Sequence, residues 1–180
     1  ASGDLRSAHQ LLTTWYGDRS LTPAEEEEVG TLLSQLAGSV VYSNEFALEP
    51  HHTVMPGETL ETIAARYQVP WQLLAKINGI TPDQLTPGQS IKVLRGPFSA
   101  VVDTERSEMA LMVSGLYAGR FGVKLEGMAS SEGEWTVAQK LPETPGVTPK
   151  HVVLQGENAP GSFSSIVLGT ASVDSPAAQA

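Results

Sequence analysis

The 180-residue sequence contains no cysteine. This absence excludes disulfide bonds, thiolate metal sites and every mechanism that uses a cysteine nucleophile. It does not indicate a cellular compartment, because an exported protein can also fold without disulfides. The lack of cysteine therefore restricts the chemistry of the chain and leaves its location open.

Long apolar runs and an excess of positive charge are also missing. No run of about eighteen apolar residues occurs, so the sequence predicts no membrane-spanning helix. The first residues, ASGDLRSAH, lack the basic and apolar regions of a signal peptide, and we expect any export signal to lie upstream. The formal net charge of -9 argues against nucleic acid or an anionic membrane as a partner.

The first 44 residues predict a helical hairpin. Two series of apolar residues recur at helical spacing: Leu5, Ala8, Leu12 and Trp15, then Val29, Leu32, Leu33, Leu36 and Val40. Thr22, Pro23 and Glu25 have the spacing of a capping box that starts the second helix. We interpret the acidic run 25–28 as a solvated first turn, because consecutive side chains point in different directions.

Trp15 and Tyr16 are predicted to be packing anchors of this hairpin, which resembles one unit of a helical repeat. A protein partner bound through the N-terminal helices stays open as an alternative.

Two breaks divide the chain, a connector over residues 44–51 that includes Pro50 and the sequence Arg95, Gly96, Pro97. We predict an α+β protein with a helical hairpin (1–44), a central module (50–96), a β-rich domain (97–170) and a disordered tail (171–180). The β-rich domain is predicted from short runs of valine, leucine and aromatic residues separated by Gly, Ser and Asp.

The residues of the central module predict the order strand, helix, helix, strand. Thr59 caps a first helix, and Asn78 with Gly79 ends a second helix that starts at Pro70. Short strands are predicted over 53–55 and 90–94, each next to a Pro-Gly turn. The apolar faces of the two helices are formed by Leu60, Ile63, Ala64 and Tyr67, and by Leu73, Leu74 and Ile77.

The sequences PGETL, IAARY, LLAKING and LTPGQSIKV resemble the lysin motif (LysM) over residues 52–94. The resemblance implies an antiparallel strand pair with both helices on one face, and binding of peptidoglycan or a chitin-like glycan that contains N-acetylglucosamine. It places a sugar groove between two loops: Gly57, Glu58, Thr59 and Leu60 on one side, and Gly79, Ile80, Thr81, Pro82 and Asp83 on the other.

The groove predicted in this way suits a neutral amino sugar. Short turns expose backbone amides to an acetamido group, and we expect Leu60, Ile80 and Pro82 to form an apolar floor. For Glu58, Thr59 and Thr81, ligand binding and turn stabilisation are both open. No cofactor is implied. His51 and His52 lack a third ligand at useful spacing, so a metal site is not predicted.

The stretch GPFSAVVDTERSEMALMVSGLYAGRF resembles the opening strands of the L,D-transpeptidase catalytic domain (YkuD type). That family cross-links peptidoglycan stem peptides with a cysteine in a Ser-x-Gly-Cys stretch and a histidine in a His-Gly step. Aligned with that pattern, Ser165 takes the cysteine position and Gln155 with Gly156 takes the His-Gly position. A serine without an activating base is a weak nucleophile, so we expect Ser165 to be a strand or turn residue, and His151 has no carboxylate partner nearby in sequence.

The sequence therefore predicts a non-catalytic protein of the bacterial cell envelope that binds peptidoglycan. The alternative is a fragment or divergent member of the L,D-transpeptidases, with the catalytic cysteine lost or outside this chain. A single LysM module is expected to bind weakly unless a second anchor is present. An incomplete sheet would expose an edge, which predicts self-association.

Overall fold

A computed structural model describes residues 4–126, 135–140, 150–156 and 163–168, with side chains up to residue 123. The predicted tail over 171–180 lies outside these ranges. The helices are α1 (Leu5–Thr13), α2 (Pro23–Ala37), α3 (Leu60–Tyr67) and α4 (Trp71–Asn78), and a π-helical turn (Gly38–Tyr42) follows α2. The strands are β1 (His52–Thr53), β2 (Ser90–Ile91), β3 (Phe98–Asp103), β4 (Glu108–Val113), β5 (Leu116–Glu126), β6 (Trp135–Lys140), β7 (Lys150–Gly156) and β8 (Phe163–Leu168). The predicted α+β class is confirmed.

The helical hairpin begins and turns where its polar residues predict. At the start of α2, the Thr22 hydroxyl accepts from the Glu25 N–H, and the Glu25 carboxylate accepts from the Thr22 N–H at 2.8 Å. Gly17 adopts a φ of 76° in the turn before α2, and the Asp18 carboxylate accepts from the Ser20 N–H at 2.8 Å. The predicted capping box is confirmed.

The face that α1 buries differs from the predicted one. His9 is fully buried, and Tyr16 packs half-buried against the core. Leu5 and Trp15 are 44% and 43% exposed, so the prediction that Trp15 anchors the hairpin is wrong, whereas that for Tyr16 is confirmed. The reason lies in tertiary packing, because His9 on α1 and Tyr16 just after this helix face strand β5.

Strands β3 to β8 form one antiparallel sheet in the order β3-β4-β5-β8-β7-β6. β4 and β5 are joined by a tight turn in which Ser114 and Gly115 both have positive φ. Both N-terminal helices pack against β5. β3 and β6 are the edge strands of this sheet, and Val101 on β3 is 54% exposed. An exposed edge is compatible with the predicted self-association, which stays a prediction.

Tyr117 on β5 is the centre of the contact between hairpin and sheet. Its side chain is fully buried, its hydroxyl lies 3.2 Å from the Ser34 hydroxyl, and its ring centroid lies 5.0 Å from that of Tyr16. The Tyr117 N–H donates to the Thr13 hydroxyl at 3.3 Å. Hairpin and sheet therefore share a packed boundary.

Ion pairs border the same contact. The Arg120 guanidinium donates to Glu27 at 2.8 Å, and Arg106 pairs with Glu26. Gly30 of α2 lies against Arg120, where an added Cβ would come within 3.3 Å of Nη1. Glu26 and Glu27, predicted as solvated first-turn residues, thus also bind arginines of the sheet.

One buried apolar cluster runs through the hairpin, the central module and the sheet, and includes Leu33, Leu74 and Ala118. The chain between the module and the sheet packs closely against the end of α3. The Gly96 N–H donates to the Tyr67 carbonyl at 2.9 Å, and a Cβ on Gly96 would lie 2.4 Å from the Gln68 carbonyl oxygen. The predicted segments pack together.

Lys92 connects the module to the end of the hairpin. Its side chain is 1% exposed, and its Nζ donates to the Val40 carbonyl at 3.0 Å and the Ser43 carbonyl at 2.6 Å. These carbonyls lie at the end of the π-helical turn, where backbone acceptors lack partners within the helix. Burial lowers the pKa of Lys92 from 10.5 to about 8.

We expect the protein to become more stable as the pH rises from about 7 to about 9.5. Between the folded pKa of Lys92, about 8, and its unfolded pKa of 10.5, only the unfolded chain holds this proton, so stability increases with pH. The gain is about 1–2 kcal/mol. Urea unfolding at the two pH values measures it.

The Lys92→Met variant is the control for this effect. It is expected to be less stable than the wild type, because two backbone carbonyls lose their donor. Its free energy of unfolding is also expected to rise less with pH than that of the wild type. Tyr16 and Tyr42 oppose the effect only above about pH 10, because burial raises the pKa of each to about 12. Equal pH dependence in wild type and variant contradicts the role of Lys92.

Candidate functional site

The central module has the predicted order of strand, helix, helix, strand. β1 pairs antiparallel with β2 through His52 opposite Ile91 and Thr53 opposite Ser90. The strands are shorter than predicted, because the chain turns at Pro56 and Gly57 soon after β1. Backbone bonds extend the ladder: the Val54 N–H donates to the Gln89 carbonyl at 2.9 Å, and the Val54 carbonyl accepts from the Gly88 N–H at 2.8 Å.

The caps of α3 and α4 hold the two predicted groove loops. The Thr59 hydroxyl accepts from the Thr62 N–H at 3.3 Å, and the Thr62 hydroxyl accepts from the Thr59 N–H at 2.9 Å. Gly79 ends α4 with a φ of 61°, the left-handed conformation that glycine adopts without strain. The predicted starts of both helices and the predicted end of α4 are therefore confirmed.

Asn78 connects the end of α4 to the segment after β2. Its amide nitrogen donates to the Leu74 carbonyl at 2.8 Å and the Lys92 carbonyl at 2.9 Å, and its amide oxygen accepts from the Lys92 N–H at 2.7 Å. These three bonds fix the residue that precedes the Gly79 loop.

Leu60 does not form part of an exposed floor. Its side chain is fully buried, together with Ile63 on the same face of α3. The side-chain role predicted for Leu60 is therefore corrected to core packing, because the first helical turn of α3 faces the interior. Of the three predicted floor residues, Ile80 is half-buried and Pro82 is exposed.

Glu58 is held by three groups at the turn before α3. Its Oε2 accepts from the Met55 N–H at 2.9 Å and lies 2.8 Å from His52 Nε2, and its Oε1 lies 2.7 Å from an Arg66 nitrogen. The side chain is 11% exposed, so the expectation of an exposed Glu58 is corrected. The Met55 N–H and then His52 lower the pKa of Glu58 to about 2.

The sequence analysis missed His52 as the partner of Glu58. His52 is 7% exposed, and its Nδ1 lies 3.3 Å from the Tyr67 hydroxyl. The alternation of side chains along a strand could have indicated that His52 is buried. His52 and Val54 face the interior of the module, and Thr53 between them is exposed. The adjacent His51 is exposed.

The second predicted loop has its own internal bonds. The Thr81 N–H donates to the Gln84 side-chain oxygen at 2.9 Å, and the Thr81 hydroxyl donates to Asp83 at 2.5 Å. Asp83 has its pKa lowered chiefly by the bond from Thr81. Gly79, Thr81, Pro82 and Asp83 are all exposed.

Together the two loops present turns whose polar side chains already have partners. Among the residues described, no hydrogen bond or ion pair joins 57–60 to 79–83, and no group of three His, Asp or Glu side chains could hold a metal ion. The chemistry that this arrangement offers to a ligand is that of backbone amides beside apolar side chains, which suits a neutral, hydrogen-bonding molecule.

The positions aligned with the transpeptidase pattern lie on two neighbouring strands. Ser165 on β8 is opposite Val153 of β7, whereas Gln155 is opposite Phe163. His151 is also on β7. The expectation that Ser165 is a strand residue is therefore confirmed, and the orientation of these side chains lies outside the described part of the chain.

The central module matches a known family. Residues 52–94 match the LysM domain, and this similarity supports binding of a glycan such as peptidoglycan or chitin. Neither the search of curated proteins nor the search of solved structures returned a match. The resemblance of residues 97–170 to L,D-transpeptidases has no support from these comparisons. Within the described ranges, no helix is long and apolar enough to cross a membrane.

Proposed function

We propose that this protein binds N-acetylglucosamine-containing glycan of the bacterial cell wall through its LysM domain, without catalysing a reaction. The observation that supports this most directly is the LysM match over residues 52–94. The absence of cysteine separates the chain from a transpeptidase mechanism that needs a thiolate. A location in the cell envelope is part of the proposal, since peptidoglycan is found there.

Recognition in this proposal depends on the backbone of the two loops. Glu58 and Thr59 are engaged within their own turn, as are Thr81 and Asp83. Their contribution is then to hold the turns in one conformation before binding, which reduces the entropy lost when a sugar is bound. Ile80 and Pro82 provide the apolar surface for the pyranose ring.

The proposal is tested by titration with N-acetylglucosamine oligosaccharides and by sedimentation with insoluble peptidoglycan. We expect Ile80→Ala to weaken binding about tenfold, because its side chain contacts the ring, which corresponds to about 1.4 kcal/mol. Thr59→Ala is expected to weaken binding because it loosens the turn before α3. Thr62→Ala removes the other half of the same capping box and is expected to weaken binding to a similar extent.

Two results contradict this proposal. One is a wild-type protein that binds neither oligosaccharide nor peptidoglycan. The other is an Ile80→Ala variant that binds oligosaccharide as tightly as the wild type, which would remove the predicted apolar contact with the sugar ring.

Protein partners form the second part of the proposal. The hairpin exposes Leu11 (64%), Trp15 (43%) and Leu32 (40%), and exposed apolar side chains of this size can contribute to a protein-binding surface. The exposed edge strand β3 supports self-association. Size-exclusion chromatography over a range of concentrations tests self-association, and a monomer at every concentration contradicts it.

A further inference from the structure

A cleft of about 230 Å³ opens where four parts of the chain meet. These are α1, the connector before the LysM domain, the residue that follows this domain and the turn between β4 and β5. The lining includes Arg6, Gln10, Leu48, Glu49, Arg95 and Ser114. This cleft is separate from the loops proposed to bind sugar, since none of the nine groove residues lines it.

The wall of the cleft formed by Arg95 is fixed by several contacts. An Arg95 nitrogen donates to Glu49 at 3.2 Å, and the guanidinium carbon lies 5.0 Å from the centroid of the Tyr67 ring. The Ser114 hydroxyl donates to the Arg95 carbonyl at 2.6 Å. The side chain and backbone of Arg95 are both held, which gives the cleft one defined shape.

The cleft has a local charge opposite to that of the whole chain. Two guanidinium groups, on Arg6 and Arg95, and one carboxylate, on Glu49, line it, whereas the formal net charge of the protein is -9. Planar guanidinium groups bind carboxylates with two parallel hydrogen bonds. Gln10 adds an amide that can pair with a peptide group, and Leu48 and Leu116 add apolar surface.

A series of side-chain contacts connects this cleft to the sugar-binding turn. Glu58 contacts His52, the His52 and Tyr67 rings lie 5.8 Å apart, and Arg95 lies over the Tyr67 ring. The cleft is therefore within a few side chains of the loop at residues 57–60.

We infer that the cleft binds a carboxylate-bearing peptide attached to the glycan that the LysM domain binds. Arg6 receives the carboxylate beside the Arg95–Glu49 ion pair, Gln10 pairs with the peptide backbone, and Leu48 and Leu116 contact small apolar side chains. This inference rests on the proposed function. Because sugar and peptide belong to one molecule, the second contact becomes intramolecular and raises the affinity of a single LysM domain.

The experiment compares glycan strands that carry their peptides with strands from which an amidase has removed them. We expect the wild type to bind the peptide-bearing strands about tenfold more tightly at low salt, and the difference to decrease as salt is raised. Arg6→Glu is expected to abolish this difference while binding of N-acetylglucosamine oligosaccharides stays unchanged. A glutamate in the first turn of α1 is compatible with the helix dipole.

Arg19→Glu is the matched control, since it makes the same charge change in the turn after α1, outside the cleft lining. It is expected to keep the preference for peptide-bearing strands. Equal affinity of the wild type for both kinds of strand overturns the inference while leaving the proposed function intact. Failure to bind any oligosaccharide overturns the proposed function instead, so the two failures are distinguishable.

Discussion

Alanine in place of Tyr117 is expected to lower the free energy of unfolding by about 3–5 kcal/mol. The side chain is fully buried between the helical hairpin and β5, and it packs against Tyr16. Its removal leaves a cavity at the centre of this contact, and the Ser34 hydroxyl loses its neighbour. Urea unfolding followed by far-UV circular dichroism and by tryptophan fluorescence measures the change.

Tyr117→Phe is the matched control, because it keeps the ring and removes only the hydroxyl near Ser34. Its expected cost is about 1 kcal/mol, the usual net value of one hydrogen bond. Since one apolar cluster joins the hairpin, the LysM domain and the sheet, the Tyr117→Ala change is expected to shift the whole unfolding transition. A LysM domain that unfolds separately, at an unchanged urea concentration, contradicts this expectation.

The Asn78→Ala variant is expected to lose about 2–4 kcal/mol of stability and to bind oligosaccharide more weakly. The substitution removes three hydrogen bonds and leaves the N–H and carbonyl of the buried Lys92 without their partner. Each buried backbone group left unpaired costs about 1–3 kcal/mol. Binding weakens because Asn78 precedes Gly79, the first residue of the second groove loop.

Asn44→Ala serves as the control, because Asn44 is exposed in the connector, and it is expected to change stability by less than about 0.5 kcal/mol. Chemical unfolding and oligosaccharide titration are measured on both variants. If Asn78→Ala matches the stability of Asn44→Ala, the bonds to Lys92 do not stabilise the domain.

The parts of the fold that the sequence predicted depend on local interactions. The capping box at Thr22, the N-cap at Thr59 and the left-handed end at Gly79 were all predicted. Each is specified by residues within about four positions of one another, so spacing along the chain is sufficient to identify it. The LysM resemblance added the pairing of β1 with β2, which local rules do not supply.

The features that the sequence did not predict depend on contacts between distant segments. The buried face of α1 was misassigned, because the spacing of Leu5 and Trp15 is as helical as that of His9 and Tyr16, and only β5 selects between them. The burial of Lys92 was not predicted, because its side chain donates to the Ser43 carbonyl, 49 positions away in the sequence. Such pairings carry no local signal.

For the candidate site, too, the sequence was informative only in part. The resemblance to the lysin motif predicted its two loops, but the burial of Leu60 and the partners of Glu58 became apparent only from the structure. His52 is six positions from Glu58, a separation that no turn or helix pattern predicts. Tertiary packing therefore decides which side chains of the predicted loops are exposed.

The tight passage at Gly96 limits how the sheet can turn relative to the LysM domain. The Gly96 N–H donates to the Tyr67 carbonyl, and a Cβ at this position would have no room beside Gln68. A domain on a flexible tether, in contrast, can rotate relative to its neighbour. In a protein that binds glycan as proposed, the orientation of the LysM domain on its ligand would set the direction in which the sheet faces.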